Sequence, residues 1–167
     1  MKKKIGLLLL FVLVICLQAA MSQTSIDFNN PGLAKFKAKN YAAALLDFNK
    51  AVELDAKNEK ALHNRGLAKY ALKDYEGAIH DHTKAIELNA AYSSAFNNRG
   101  MVYYRQNNYT AALKDYNKAI ETDTAYYQAY KNRATVQYAT KNYDAADKDY
   151  MKCIELKPDD ADGYLGR

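Results

Sequence analysis

At 167 residues the chain is long enough for one domain. Its formal charge is +5; without Lys2, Lys3 and Lys4, which belong to a leader, 21 basic residues stand against 19 acidic ones, a balance of about +2. That excludes the clustered basic stripe of a nucleic-acid or membrane-surface binder, and few glycines, two prolines and abundant Ala, Leu, Lys and Glu point to an all-α chain.

The chain opens with a positive segment, Met1 to Lys4, then an apolar run from Ile5 to Leu17, then small residues at Ala19, Ala20 and Ser22. This is the order of a secretory signal peptide, and the run is shorter than the roughly 20 apolar residues that span a bilayer. We expect residues 1–22 to be a signal peptide cleaved near Ser22. The mature protein is then secreted or periplasmic, from a bacterial source, and meets the membrane only through its leader. Two alternatives stand beside this: an uncleaved anchor, and a lipid-anchored form at Cys16. Leu13-Val14-Ile15-Cys16 resembles a lipobox, although Ile15 occupies a position that needs a small residue. Once Cys16 is removed Cys153 alone remains, which excludes an intramolecular disulfide. Cys153 falls in an apolar helical register, where it acts as a small hydrophobe.

From residue 25 the chain repeats every 34 residues. His63-Asn64-Arg65-Gly66 recurs as Asn97-Asn98-Arg99-Gly100 and Lys131-Asn132-Arg133-Ala134, and Arg167 falls on the next arginine position. Four repeats follow without a gap, 25–58, 59–92, 93–126 and 127–160, and residues 161–167 begin a truncated fifth. Numbering each repeat from 1, place 8 holds Gly32, Gly66, Gly100 and Ala134. Place 17 holds Tyr41, Tyr75, Tyr109 and Tyr143; place 20 holds Ala44, Ala78, Ala112 and Ala146. Place 24 holds Phe48, His82, Tyr116 and Tyr150; place 27 holds Ala51, Ala85, Ala119 and Cys153. Places 17, 20, 24, 27 and 28 form one stripe of an amphipathic helix. Places 4 and 8 begin a similar stripe on an earlier helix, and Asn or Asp always stands at place 16 (Asn40, Asp74, Asn108, Asn142), where the second helix needs an N-cap acceptor. Each repeat is therefore a helix A, a tight turn and an antiparallel helix B. The small residues at places 8 and 20 let the two approach closely. Pro31, at place 7 of the first repeat, costs about 3 kcal/mol inside a helix, so we expect that helix to begin near Pro31, capped by Asn30, with Phe28 outside it.

This pattern resembles the tetratricopeptide repeat family over residues 25–160. The resemblance implies a right-handed superhelical array of antiparallel helix pairs. It implies a non-catalytic module for protein–protein interaction, with no cofactor and a protein or peptide partner held in a concave groove. In the family, places 2, 5, 6, 9, 12 and 13 of helix A face that groove. Mapped here they give Lys60, His63, Asn64, Leu67 and Tyr70 in repeat two. Repeat three contributes Ser94, Asn97, Asn98, Met101, Tyr104 and Arg105, and repeat four Gln128, Lys131, Asn132, Thr135 and Tyr138. Asparagine can donate to and accept from a peptide backbone, and tyrosine offers rigid apolar area with a polar tip. The asparagines at place 6 (Asn30, Asn64, Asn98, Asn132) have a second reading, in which they hold neighbouring helices together. The side of the last helix B that carries Tyr150 and Ile154 is expected to be uncovered. This supports a rival expectation: self-assembly, or a subunit of an envelope complex, through the C-terminal end.

Nothing in the sequence points to catalysis: no phosphate-cradling glycine loop, no nucleophile elbow, no metal cluster of known spacing. His80-Asp81-His82 cannot converge on one ion along a helix, and His82 occupies a core ring position. Asn108-Tyr109-Thr110 is a glycosylation sequon that is coincidental in a bacterial protein. The recurring Arg65, Arg99, Arg133 and Arg167 need partners if buried, and Asp47, Asp81, Asp115 and Asp149 recur with the same period. Pairing within a repeat would set Asp47 against Pro31 and leave Arg167 without a carboxylate. Pairing across repeats joins Asp47 to Arg65, Asp81 to Arg99, Asp115 to Arg133 and Asp149 to Arg167. We therefore expect an inter-repeat ladder.

Overall fold

A computed structural model describes residues 2–166, with side chains from Val12 onward except at residues 22, 23, 162 and 165. Arg167, the last expected rung of the arginine ladder, lies outside the described residues. The helices are α1 (Lys2–Lys37), α2 (Tyr41–Leu54), α3 (Glu59–Ala71), α4 (Tyr75–Leu88), α5 (Ser93–Arg105), α6 (Tyr109–Thr122), α7 (Tyr127–Ala139), α8 (Tyr143–Leu156) and the short α9 (Ala161–Leu165). There is no strand among the described residues. The chain divides into two compact lobes, Met1–Asp74 and Tyr75–Arg167. In the first, α1 packs on α2, α2 on α3, and α1 also reaches α3. In the second, α5 packs on α6 and α7 on α8; α4 packs on α5 and α6 on α7; α9 lies on α8. Helix B of one repeat thus packs on helix A of the next.

The turn between helices A and B has the same construction in every repeat. Lys39, Lys73, Asn107 and Lys141, all at place 15, take left-handed backbone with φ of 60°, 66°, 60° and 63°. The next N–H reaches back to close the helix: Asn40 N donates to Lys35 O, Asp74 N to Lys69 O, Asn108 N to Tyr103 O and Asn142 N to Gln137 O, all at 2.8–2.9 Å. This is the Schellman termination, normally reserved for glycine. Expected caps form at Asn40, which accepts from Ala43 N, and at Asn108, which accepts from Ala111 N; Asn142 makes no side-chain cap bond.

The place-8 glycines lie under the place-24 rings. A Cβ on Gly32 would sit 2.6 Å from Phe48, and one on Gly100 would sit 2.7 Å from Tyr116. Both rings are fully buried. Repeat four manages with Ala134, which packs beside Ala146 and Tyr150.

Two expectations fail. Helix α1 does not start near Pro31; it runs through it, with Phe28 and Asn30 inside. Contacts upstream of the proline offset the lost backbone bond. Ser25 is fully buried, its hydroxyl donating to Ala51 O at 2.8 Å and accepting from Asn58 Nδ2 at 3.0 Å. Asn29 accepts from Asn64 Nδ2 at 2.9 Å. At the other end, Tyr150 is buried and Ile154 half-buried rather than exposed. Gly163 lies against Ile154 and Gly166 against the Tyr150 ring, so the chain after α8 already covers much of that side. Among the described residues, no helix is long and apolar enough to cross a membrane.

Candidate functional site

In the second lobe α5 touches α7, while the outer helices α6 and α8 make no comparable contact. The lobe therefore curves with α5 and α7 on its inner side. On α5, Ser94, Asn98, Met101 and Tyr104 are half-buried and Arg105 is exposed. On α7, Gln128 and Tyr138 are exposed, and Lys131, Asn132 and Thr135 are half-buried. In the first lobe Lys60 is exposed, and Asn64, Leu67 and Tyr70 are half-buried. Two expected groove residues are not presented: Asn97 is 2% exposed and His63 6%. Place 5 is rotated about 100° from place 6 on the helix, which for Asn97 means the seam between α5 and α7. Burial also lowers the His63 pKa to about 4.

The asparagines form a stitched line. Asn132 Nδ2 donates to Asn97 Oδ1 at 2.9 Å, and Asn97 Nδ2 donates to Asn98 Oδ1 at 3.3 Å. The Asn64–Asn29 bond of the first lobe has the same spacing as Asn132–Asn97. The place-6 amide therefore binds place 5 of the preceding repeat at both sites, as the helix-holding reading requires.

The arginines correct the expected ladder. Arg99 does not reach back to Asp81 as its carboxylate partner; Nε and Nη2 grip Asp115 of its own repeat at 2.7 and 2.8 Å. Arg133 grips Asp149 in the same way at 2.7 and 2.6 Å, so the expected Asp115–Arg133 pair is replaced as well. Asp149 is thus held by Arg133 of its own repeat, and Asp47 is paired with Lys35 at 2.7 Å rather than left for Arg65. Places 7 and 23 lie eight residues either side of the left-handed place 15, so an antiparallel pair brings them level. Pro31 is no obstacle, because Lys35 is one helical turn further along the same face. Each guanidinium still joins repeats through its remaining nitrogen. Arg99 Nη1 donates to Thr83 Oγ1 of α4 at 2.9 Å, and Arg133 Nη1 donates to Asn117 Oδ1 of α6 at 2.6 Å. The bidentate bonds raise both arginine pKa values, and the guanidiniums lie 5.8 and 5.6 Å from the ring centres of Phe96 and Tyr130. This acceptor was not expected from the sequence. Its signal was Asn49, Thr83 and Asn117 recurring at place 25, a run that ends at Met151.

Rings at places 12 and 17 lean together across the turn. Phe36 and Tyr41 have centroids 5.2 Å apart, Tyr104 and Tyr109 5.8 Å, and Tyr138 and Tyr143 5.3 Å. Tyr104 and Tyr138 are thereby each braced by a neighbouring ring. The members of His80-Asp81-His82 do not converge: His80 is exposed, 3.3 Å from Asp81, while His82 is fully buried. Burial pushes the Cys153 thiol up to about 11, as befits a core sulfur.

Helix pairs closed by the same turn, and stitched within each lobe by the same amide bond, define a repeat array of the tetratricopeptide kind. Family models described as tetratricopeptide repeat match residues 93–123 and 127–160, and residues 29–58, and a TPR repeat model matches residues 66–107. The chain belongs to the tetratricopeptide repeat family. Similar solved structures include MamA, at 23% identity over 80% of this chain and 78% of that one, TM-score 0.74. Another is the Pseudomonas aeruginosa protein pilF, at 20% identity over 88% and 67%, TM-score 0.82. A third is the first TPR domain of Spaghetti (RPAP3) bound to the HSP90 peptide SRMEEVD, at 25% identity over 66% and 88%, TM-score 0.63. No curated protein matches the chain. The fold is that of protein–protein interaction modules, which are generally non-catalytic.

Proposed function

We propose that this protein is a non-catalytic adaptor whose inner helices hold a segment of another protein, as an extended peptide or a single helix. The observation that carries the reading is the inner surface of α5 and α7. It offers Tyr104 and Tyr138 braced by neighbouring rings, with Asn98, Gln128 and Thr135 on the same two helices. The Spaghetti domain, a relative of comparable fold, is bound to a peptide. Assembly through the C-terminal end draws less support, because Tyr150 is buried beneath the chain that follows α8. With residues 1–22 read as a cleaved leader, the proposal puts this activity outside the cytoplasm. Mass spectrometry of the protein from its natural host is expected to find an N-terminus between residues 20 and 24, and a lipidated Cys16 would overturn a soluble mature form.

The test of the groove is site-specific photo-crosslinking. A benzophenone side chain at Met101 or Thr135 is expected to capture a protein partner from an envelope extract. The same group at Lys118, on the outer helix α6, is expected to capture none. Capture from Lys118 alone would move the binding face to the outside of the array.

A further inference from the structure

Where α2 turns into α3, the first lobe holds a cavity of about 370 Å³ against α1. Its lining carries charge of both signs, Asp55 and Glu59 with Lys57 and Lys60. Among the described residues no ion pair joins these four to one another or to other side chains. Asp55 Oδ1 accepts from Lys57 N at 3.0 Å, which shapes the turn and leaves Oδ2 for another donor. Asn29 of α1 lines the same cavity and is 8% exposed. Its Oδ1 is taken by Asn64 Nδ2, whereas its Nδ2 meets no acceptor among the described residues. Buried amide donors are nearly always hydrogen-bonded, so one left over in a polar cavity points to a ligand.

The later junctions show that the fold does not need this chemistry. At the places of Lys57, Glu59 and Lys60 the chain has Ala91, Ser93 and Ser94 after repeat two, and Ala125, Tyr127 and Gln128 after repeat three. Asn97, the counterpart of Asn29, spends its Nδ2 on Asn98 Oδ1 at 3.3 Å and Met101 Sδ at 3.8 Å. The stitch between neighbouring helices is thus kept in both lobes, while the four charges and the spare amide donor are peculiar to the first.

From this we propose that the cavity is a binding site for a small zwitterion, a free α-amino acid. Lys60 and Asn29 Nδ2 meet its carboxylate. Asp55 Oδ2 and Glu59 meet its ammonium, and Ile26, also in the lining, offers apolar contact to its side chain. A ligand of one sign would be repelled by half of these charges, whereas an ammonium and a carboxylate on one carbon satisfy both halves. The volume falls within the roughly 300–1,000 Å³ of small-molecule sites. The site draws on the first lobe alone and does not depend on what α5 and α7 hold.

The experiment is isothermal titration calorimetry of the mature chain with each of the twenty free amino acids. At least one is expected to bind with a Kd of about 1 mM or tighter. Its N-acetyl and carboxamide forms, each lacking one charge, are expected to bind roughly tenfold more weakly or worse. Glu59→Gln with Lys60→Gln removes one charge of each sign and is expected to cause a similar loss with little change in melting temperature, because neither side chain is bonded within the described protein. Tyr104→Ala with Tyr138→Ala is expected to leave the binding intact. No heat from any amino acid at about 10 mM overturns the proposal. A blocked form that binds as well as the free amino acid overturns the zwitterion, and binding that ignores the Glu59 and Lys60 changes overturns the cavity as its site.

Discussion

Repeats one and four settle the same carboxylate in different ways. In repeat four Asp149 is held at two points by Arg133, which also reaches Asn117 on the preceding helix B. In repeat one Asp47 has the single ammonium of Lys35, on a side chain 44% exposed. The difference shows what the arginine is for. A lysine neutralises a carboxylate, but its compact ammonium lacks the planar fork that holds one helix with two nitrogens and another with the third. Upstream of repeat one the described residues continue α1 itself rather than a separate helix, so a third bond would have no neighbouring helix of that kind to reach. The arginine is the residue of a repeat that has a neighbour behind it.

Breaking the carboxylate in each place sharpens this comparison. Asp149→Ala strands a guanidinium that is largely enclosed and is expected to cost about 2–3 kcal/mol, between the limits for buried and exposed pairs. Asp47→Ala is expected to cost about 1 kcal/mol or less, because Lys35 can turn to water. Urea unfolding followed by circular dichroism measures both, and equal losses would remove the distinction.

Acid should act on the first lobe through His63. Its folded-state pKa of about 4 lies below the ordinary 6.5, so the folded form takes up a proton less readily than the unfolded chain. The stability tied to neutral His63 is complete above pH 6.5 and is lost as pH falls from 6.5 towards 4, by up to about 3 kcal/mol. His63→Asn, which copies Asn29 and Asn97 at the same place, is expected to flatten that slope in unfolding measured across pH. An unchanged slope would mean that other groups carry it.

A smaller effect separates the asparagines. Asn132→Ala leaves the buried Asn97 oxygen without its donor and is expected to cost about 1–2 kcal/mol, more than Asn98→Ala, whose bond to Asn97 is longer at 3.3 Å. The smallest effect is a gain: Lys141→Gly relieves a left-handed lysine and is expected to add up to about 1 kcal/mol. A melting temperature that falls instead would show that flexibility in the unfolded chain outweighs the strain.

The repeat itself was readable because packing imposes a period: Gly32 and Gly100 recur where Phe48 and Tyr116 press on them. The caps at Asn40 and Asn108 were readable because the acceptor is local. What stayed hidden depends on context. Lysine gives no warning of left-handed backbone, so the closures at Lys39, Lys73 and Lys141 were invisible. Pro31 is a poor helix residue judged alone, and only the bonds of Ser25 and Asn29 to other helices show why α1 continues through it. The arginine partners failed because place 23 recurs with the same period in every repeat, so spacing offers two carboxylates to each arginine. Of the candidate site, the family resemblance put Tyr104 and Tyr138 on helix A of their repeats, where they lie, and could not show that Asn97 turns into a seam.

The bonds that cross from one repeat to the next are also a rule for growth. Arg133 reaches Asn117 and Asn132 reaches Asn97, each linking a residue to one in the repeat before it. A tandem duplication of residues 93–126 would meet this rule at both junctions, since the copy brings its own Arg99, Asn98 and Asn117 into register. A duplication of residues 127–160 would not, because Met151 would offer a thioether where the incoming arginine needs an oxygen. Lineages that lengthen this array are therefore expected to copy its third repeat and to leave the fourth single.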